Sequence, residues 1–192
     1  MVSAGIDYSI NYPSVVINDN GLFRFISFER KDLSKKYLFD IEHHIIEKYP
    51  DTLEDSIRLN KLIIHVLQQY GVGLVKIEGF SYMSSGSSYI DLISYQSILR
   101  YMLFESGIKL EIYSPKTVKK TAGKGNYNKM EMFDAFLNEN LDNDFYKNVL
   151  KFQNEIRKNN KEGTVTDIKK PYQDLIDAYW VLKTESKINE NV

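Results

Sequence analysis

The sequence predicts an α/β protein in which one five-stranded mixed sheet is flanked by helices. Three observations predict it. The first 28 residues hold three apolar strand patterns in succession, broken by turn signals. From residue 52 onward, helix-length segments alternate with five- or six-residue apolar runs, the signature of parallel strands joined by crossovers. Hydrophobic residues make up 43% of the 192 positions, enough to cover both faces of a sheet.

Taken in order, Val2–Ser9 reads as a buried strand and Ser14–Asn18 as a second. Asp19-Asn20-Gly21 is a tight-turn signal, because Asn and Gly tolerate positive φ. Leu22–Phe28 follows as a third strand, completing an antiparallel meander. Leu33 to Tyr49 reads as loop plus a short helix, with weak spacing at Tyr37, Ile41, Ile45 and Ile46. Thr52-Leu53-Glu54-Asp55 resembles a capping box opening a helix that runs to Tyr70, where Gly71 stops it. Gly73–Glu78 is the fourth strand, Ser81–Ser88 a Ser/Gly loop, and Tyr89–Ser106 a helix ended by Gly107. Lys109–Tyr113 is the fifth strand. Ser114-Pro115 supplies an N-cap and a first-turn proline for a short helix over Lys116–Lys120. Asn128 caps the next helix, Lys129–Asn138. Asp142 to Lys170 is polar, read as helical around Phe145–Arg157 and then loop. Residues 172–185 form the last helix. The expected organisation is one domain over 1–186, with 139–170 as a polar elaboration and 187–192 as a disordered tail.

Composition narrows the chemistry. There is no Cys, which removes disulfides, thiolate zinc sites and a Cys nucleophile. No apolar run approaches the roughly 20 residues of a membrane span, and the N-terminus lacks a signal-peptide pattern. A cytoplasmic protein, of a bacterial cell or a phage- or virus-infected host, is expected. The formal net charge is −1, so the whole chain is not a basic nucleic-acid binder. The distribution differs from the sum: Ser114 to Met130 holds Lys116, Lys119, Lys120, Lys124 and Lys129 but only apolar and neutral residues otherwise.

Four carboxylates sit where burial is expected: Asp7 in the first strand, Glu78 at the end of the fourth, and Asp174 and Asp177 in the last helix. An unpaired buried carboxylate costs several kcal/mol or stays protonated. With strand order 3-2-1-4-5, Asp7 and Glu78 lie on adjacent strands. Asp174 and Asp177 are i and i+3 on a helix and face one way. Packing that helix on the sheet joins all four. Such a set, without His or Cys, prefers Mg²⁺ or Mn²⁺, and two ions there suit phosphodiester hydrolysis. His43, His44 and His65 have no ligand spacing with the acids. Asp91, Glu111 and Asp134 read as solvated surface, and Asp167 is near the last helix without a spacing that demands a role.

The acids and the basic block together resemble the RuvC-like Holliday-junction resolvases of the RNase H-like superfamily. The resemblance rests on Gly5-Ile6-Asp7, Ile77-Glu78, the block Tyr113-Ser114-Pro115-Lys116-Thr117-Val118-Lys119-Lys120 with Gly123-Lys124-Gly125 and Lys129, and Asp174-Leu175-Ile176-Asp177-Ala178. It implies an RNase H-like fold and a homodimeric endonuclease that cuts branched DNA, leaving 5′-phosphate and 3′-hydroxyl ends. Asp7, Glu78, Asp174 and Asp177 would hold two Mg²⁺ or Mn²⁺ ions. Lys116, Lys119, Lys120, Lys124 and Lys129 would contact DNA, with Phe80 and Tyr82 at the centre of the opened junction. The Ser81–Ser88 loop, residues 29–52 and the stretch between Lys129 and Asp174 depart from the pattern. The alternatives are an RNase H-like nuclease for flaps, RNA–DNA hybrids or packaging DNA, and a non-catalytic junction-binding protein. A sugar-kinase or actin-like ATPase also opens with Gly-Ile-Asp, but Tyr8 follows here in place of a small phosphate-cradling residue.

Overall fold

A computed structural model describes residues 1–30, 38, 39, 41–80, 87–159 and 165–185. Three antiparallel strands open the chain: β1 (Ser3–Asp7), β2 (Ser14–Asp19) and β3 (Leu22–Arg30). Asn20 and Gly21, at φ 51° and 93°, make the turn between β2 and β3, as the Asn-Gly pair predicts. Then follow β4 (Glu42–Ile46), α1 (Thr52–Gln69), β5 (Leu74–Glu78), α2 (Ser87–Glu105), β6 (Lys109–Tyr113), α3 (Pro115–Ala122), α4 (Lys129–Phe136), α5 (Asp144–Lys151) and α6 (Gln153–Ile156). A hairpin, β7 (Arg157–Asn159) with β8 (Val165–Ile168), leads into α7 (Tyr172–Lys183).

The sheet has six strands in the order β4-β3-β2-β1-β5-β6. The five expected strands keep their expected order. The sixth, β4, lies where loop and a short helix were expected, and pairs parallel with β3. Its sequence, Glu42-His43-His44-Ile45-Ile46, has no clean alternation because most of it is exposed at a sheet edge. Pairing with β3, not intrinsic pattern, makes it a strand. The β7–β8 hairpin is a second departure, replacing the expected helix end and loop.

Helices cover both faces. On one, α1 and α2 pack Leu59, Ile63, Leu67, Leu99 and Leu103 against Ala4, Ile6, Val15, Ile17, Val75 and Ile77. On the other, α7 with α3, α4 and α5 buries Val16 and Phe25 beneath Phe133, Phe136, Tyr179 and Trp180. The cap of α1 is Asp51, whose side chain accepts from the Glu54 amide, one residue before the expected box. That leaves Asp55 buried, where it accepts from the Tyr49 amide and the Tyr95 hydroxyl at 2.9 and 2.7 Å.

The last helix is apolar nearly all round and accordingly enclosed. Two features of the sheet fix its seat. A Cβ on Gly5 would lie 2.3 Å from the Ala178 carbonyl and 2.4 Å from the Leu182 amide, so α7 rides directly on the backbone of β1. Gly5 pairs with Lys76 on β5. The Lys76 ammonium donates to the Leu182 carbonyl at 3.1 Å and to the Thr184 carbonyl, satisfying the open end of α7. Among the described residues no helix is long and apolar enough to cross a membrane.

Candidate metal centre and nucleic-acid interface

Strand register brings the first two acids together. Ile6 pairs with Ile77 in parallel β1 and β5, and Asp7 and Glu78 are the next residues on each strand. Side chains alternate along a strand, so Asp7 shares the α7 face with Gly5, and Glu78 shares it with Lys76. The seat of α7 on Gly5 then carries Asp174 and Asp177 over Asp7. One carboxylate oxygen from each of Asp7, Asp174 and Asp177 lies within 4.8 Å of the others. Glu78 stands outside this tight group but within electrostatic reach of Asp7 and Asp177.

Mutual repulsion and burial show in the protonation of the site. Burial raises the Asp7 carboxyl well above the ordinary range, and the charges of Asp174, Asp177 and Glu78 raise it further. Glu78 is pushed up to about 7 by burial and then by Asp177, with Lys119 opposing. Asp177 is pushed up to about 6, chiefly by burial, although it accepts a 3.2 Å hydrogen bond from Gln173 Nε2. Asp174 is buried and ion-paired to Lys170, Nζ to Oδ2 at 3.0 Å. Acids that resist ionising together are a set that a divalent cation would neutralise. The donors are all carboxylate oxygens, which fits Mg²⁺ or Mn²⁺.

The basic residues flank the acids on two sides. Ser114, next after β6, caps α3 by accepting from the Thr117 amide. The helix thus starts beside the end of β5, where Glu78 pairs with Tyr113, and its Lys119 acts on the charge of Glu78. Lys116 and Lys120 are exposed on the same helix, and Lys124 is exposed just beyond it. Asn128 and Glu131 form a reciprocal capping box at α4, which presents Lys129 at the helix start. Lys129 pairs with Asp167 at 3.6 Å and its charge also lowers the pKa of Asp177. Phe80 lies beneath the Arg100 guanidinium, 4.8 Å from its ring centre, with Tyr89 edge-on at 6.1 Å. Tyr82, the rest of the loop over 81–86 and the tail over 187–192 lie outside the described residues.

Among the other candidates, His44 stacks on Phe28 at β4, remote in the sheet order from Asp7. His65 is exposed on α1. Glu111 accepts from the Tyr113 hydroxyl and Asp134 pairs with Arg157. Lys170 is the residue that sequence reasoning missed. Its signal was present: it stands four residues before Asp174, the spacing of a helical ion pair.

No family model and no curated protein matches this sequence. Solved structures do match. Thermus thermophilus RuvC aligns over 96% of this chain and 92% of its own, at 17% identity and a TM-score of 0.58. The same protein in complex with a Holliday junction substrate aligns over 96% and 91%, at 16% identity and TM-score 0.58. The yeast mitochondrial Holliday junction resolvase aligns over 95% of this chain and 76% of its own, at 16% identity and TM-score 0.56. The chain therefore has the fold of the RuvC-like resolvases, an RNase H-like mixed sheet between helices.

Proposed function

We propose that this chain is a metal-dependent endodeoxyribonuclease that resolves four-way or other branched DNA junctions by phosphodiester hydrolysis, leaving 5′-phosphate and 3′-hydroxyl ends. The observation that carries the proposal is the meeting of Asp7, Asp174 and Asp177 within 4.8 Å at the end of the central strand. Glu78 completes the set, and the fold shared with RuvC supports the substrate class. Asp7, Glu78, Asp174 and Asp177 would hold two Mg²⁺ or Mn²⁺ ions. Such ions, when bound, polarise a phosphoryl oxygen and make a bound water acidic enough to attack near neutral pH.

The protein's own groups prepare the place. Asp174 is buried and Asp7, Glu78 and Asp177 are half-buried, which strengthens the charge interactions among them. Gln173 Nε2 holds Asp177 Oδ2 in one orientation. Lys119, whose charge reaches Glu78, would hold a backbone phosphate, with Lys116, Lys120, Lys124 and Lys129 extending the grip. A substrate with two-fold symmetry asks for two related cuts, hence a homodimer. The outer stripe of α2 suits that role, since Ile90, Tyr101 and Phe104 are 65, 62 and 78% exposed on one side of the helix.

The test is cleavage, in Mg²⁺ and in Mn²⁺, of a synthetic four-way junction, a flap, an RNA–DNA hybrid and a linear duplex. Wild type should place paired nicks across the junction, and Asp7→Asn and Asp174→Asn should bind it uncut. Cutting by Asp7→Asn at the wild-type rate rules out this active site. Preference for the hybrid or the flap selects the alternative nuclease, and binding without cutting by wild type makes the protein a junction binder.

A further inference from the structure

Apart from Lys170, residues 139–170, which lengthen the chain between the basic block and the last helix, have no role in the activity proposed above. The described ones among them are tied to the core. Ile156 and Ile168, at the base of the β7–β8 hairpin, are buried in the core, and Arg157 pairs with Ile168 across the ladder. Arg157 binds Asp134 of α4 at 2.6 Å and lies over the Phe133 ring at 5.0 Å. The Lys169 amide donates to the Ile156 carbonyl at 2.9 Å. The base of the hairpin is therefore tied to α4 and runs directly into Lys170 and α7.

Between the hairpin and the start of α7 lies a groove of about 500 Å³ whose walls include Lys158, Lys169, Lys170 and Tyr172. Lys158 and Lys169 are exposed, and no carboxylate among the described residues forms an ion pair with either. The acid on that wall, Asp167, is itself paired with Lys129. Lys170 is shared with a second groove of about 330 Å³, between the β1–β2 loop and Leu92 of α2. Its ammonium also holds Asp174. Lys170 thus joins the hairpin groove to the acid cluster through Asp174, whereas Lys119 of α3 acts on Glu78.

We propose that the hairpin groove is a second phosphate track, in which Lys158 and Lys169 hold the DNA backbone next to the acid cluster. The segment 139–170 then lengthens the protein's footprint along the DNA. The inference rests on the nuclease proposal, since the ligand it names is the same DNA.

The experiment measures binding of the full chain to a labelled four-way junction in Ca²⁺, over a range of NaCl. The variants are Lys158→Ala/Lys169→Ala, the matched Arg pair, and Lys116→Ala/Lys120→Ala of α3 for comparison. Removing two phosphate contacts should lower the slope of log K against log salt by about two and weaken binding about ten-fold at 0.1 M salt. The Arg pair should restore both, with all variants melting at the wild-type temperature. Wild-type affinity and slope in a folded Lys158→Ala/Lys169→Ala protein overturn the track while leaving the nuclease proposal standing. Absence of DNA binding by wild type overturns both.

Discussion

Replacing Gly5 by Ala is expected to disable the acid cluster without touching a carboxylate. The added Cβ would stand 2.3 Å from the Ala178 carbonyl oxygen, 2.4 Å from the Leu182 amide and 2.7 Å from Leu182 Cβ. Two of these are backbone atoms and have no rotamer to escape into. Ordinary contact needs more than 3 Å, so α7 must retreat by roughly 1 Å. Overpacking of this kind destabilises by about 1–3 kcal/mol, a fall of several degrees in Tm for a chain of this length. The geometric effect is larger in consequence. Asp174 and Asp177 move with the helix while Asp7 stays on its strand, and Mg²⁺ tolerates little deviation from ligand distances of about 2.0–2.1 Å. A displacement near 1 Å costs on the order of 100-fold in rate. The assays are thermal melting with and without Mn²⁺, and junction cleavage across a Mg²⁺ titration. A Gly5→Ala protein with wild-type Tm, wild-type metal response and wild-type cleavage would refute the claim that the β1–α7 contact sets the site.

Three further outcomes are expected. Folded Glu78 and Asp177 keep their protons to about pH 7 and about pH 6, against ordinary values of 4.5 and 3.8, and Asp7 is raised as well. Between about pH 4 and 7 the folded state therefore binds more protons than the unfolded chain, so these groups make stability fall as pH rises. Urea midpoints in EDTA should decline over that window and flatten with Mg²⁺, which favours the ionised carboxylates; an EDTA series without a decline counts against it. Lys76→Met leaves the Leu182 and Thr184 carbonyls without their donor and should lower stability by about 1–3 kcal/mol, read by thermal melting, with Lys76→Arg milder. Phe104→Glu should convert a dimer to monomers in light scattering while leaving Tm near wild type; a monomeric wild type removes α2 as the proposed interface.

The acids were legible because each breaks an apolar pattern, and a charge in a buried strand is conspicuous. The strand order was legible because a meander followed by alternating helices and strands leaves few arrangements. The start of α3 was legible from Ser114-Pro115. What stayed hidden depends on contacts distant in sequence. β4 is a strand only because β3 offers an edge to Glu42–Ile46. The β7–β8 hairpin is mostly polar and is held at its base by buried Ile168 and by Arg157 reaching Asp134 and Phe133 on α4. The cap of α1 is Asp51, not Thr52, and Asp55 turns inward to the Tyr49 amide and the Tyr95 hydroxyl, the latter distant in sequence. Lys170 announced itself by spacing, but only the geometry shows its ammonium on Asp174.

The seat of α7 also has a consequence in time. Asp7 lies on the first strand, whereas Asp174 and Asp177 lie on the last described helix, more than 160 positions later. A ribosome releasing the chain from its N-terminus exposes Asp7 and Glu78 long before their partners exist. During that interval the sheet offers two carboxylates on neighbouring strands and nothing to complete a cation cage. The acid set is therefore completed only by the final docking of α7, so under the proposed function neither nascent chains nor fragments lacking α7 should cleave a junction.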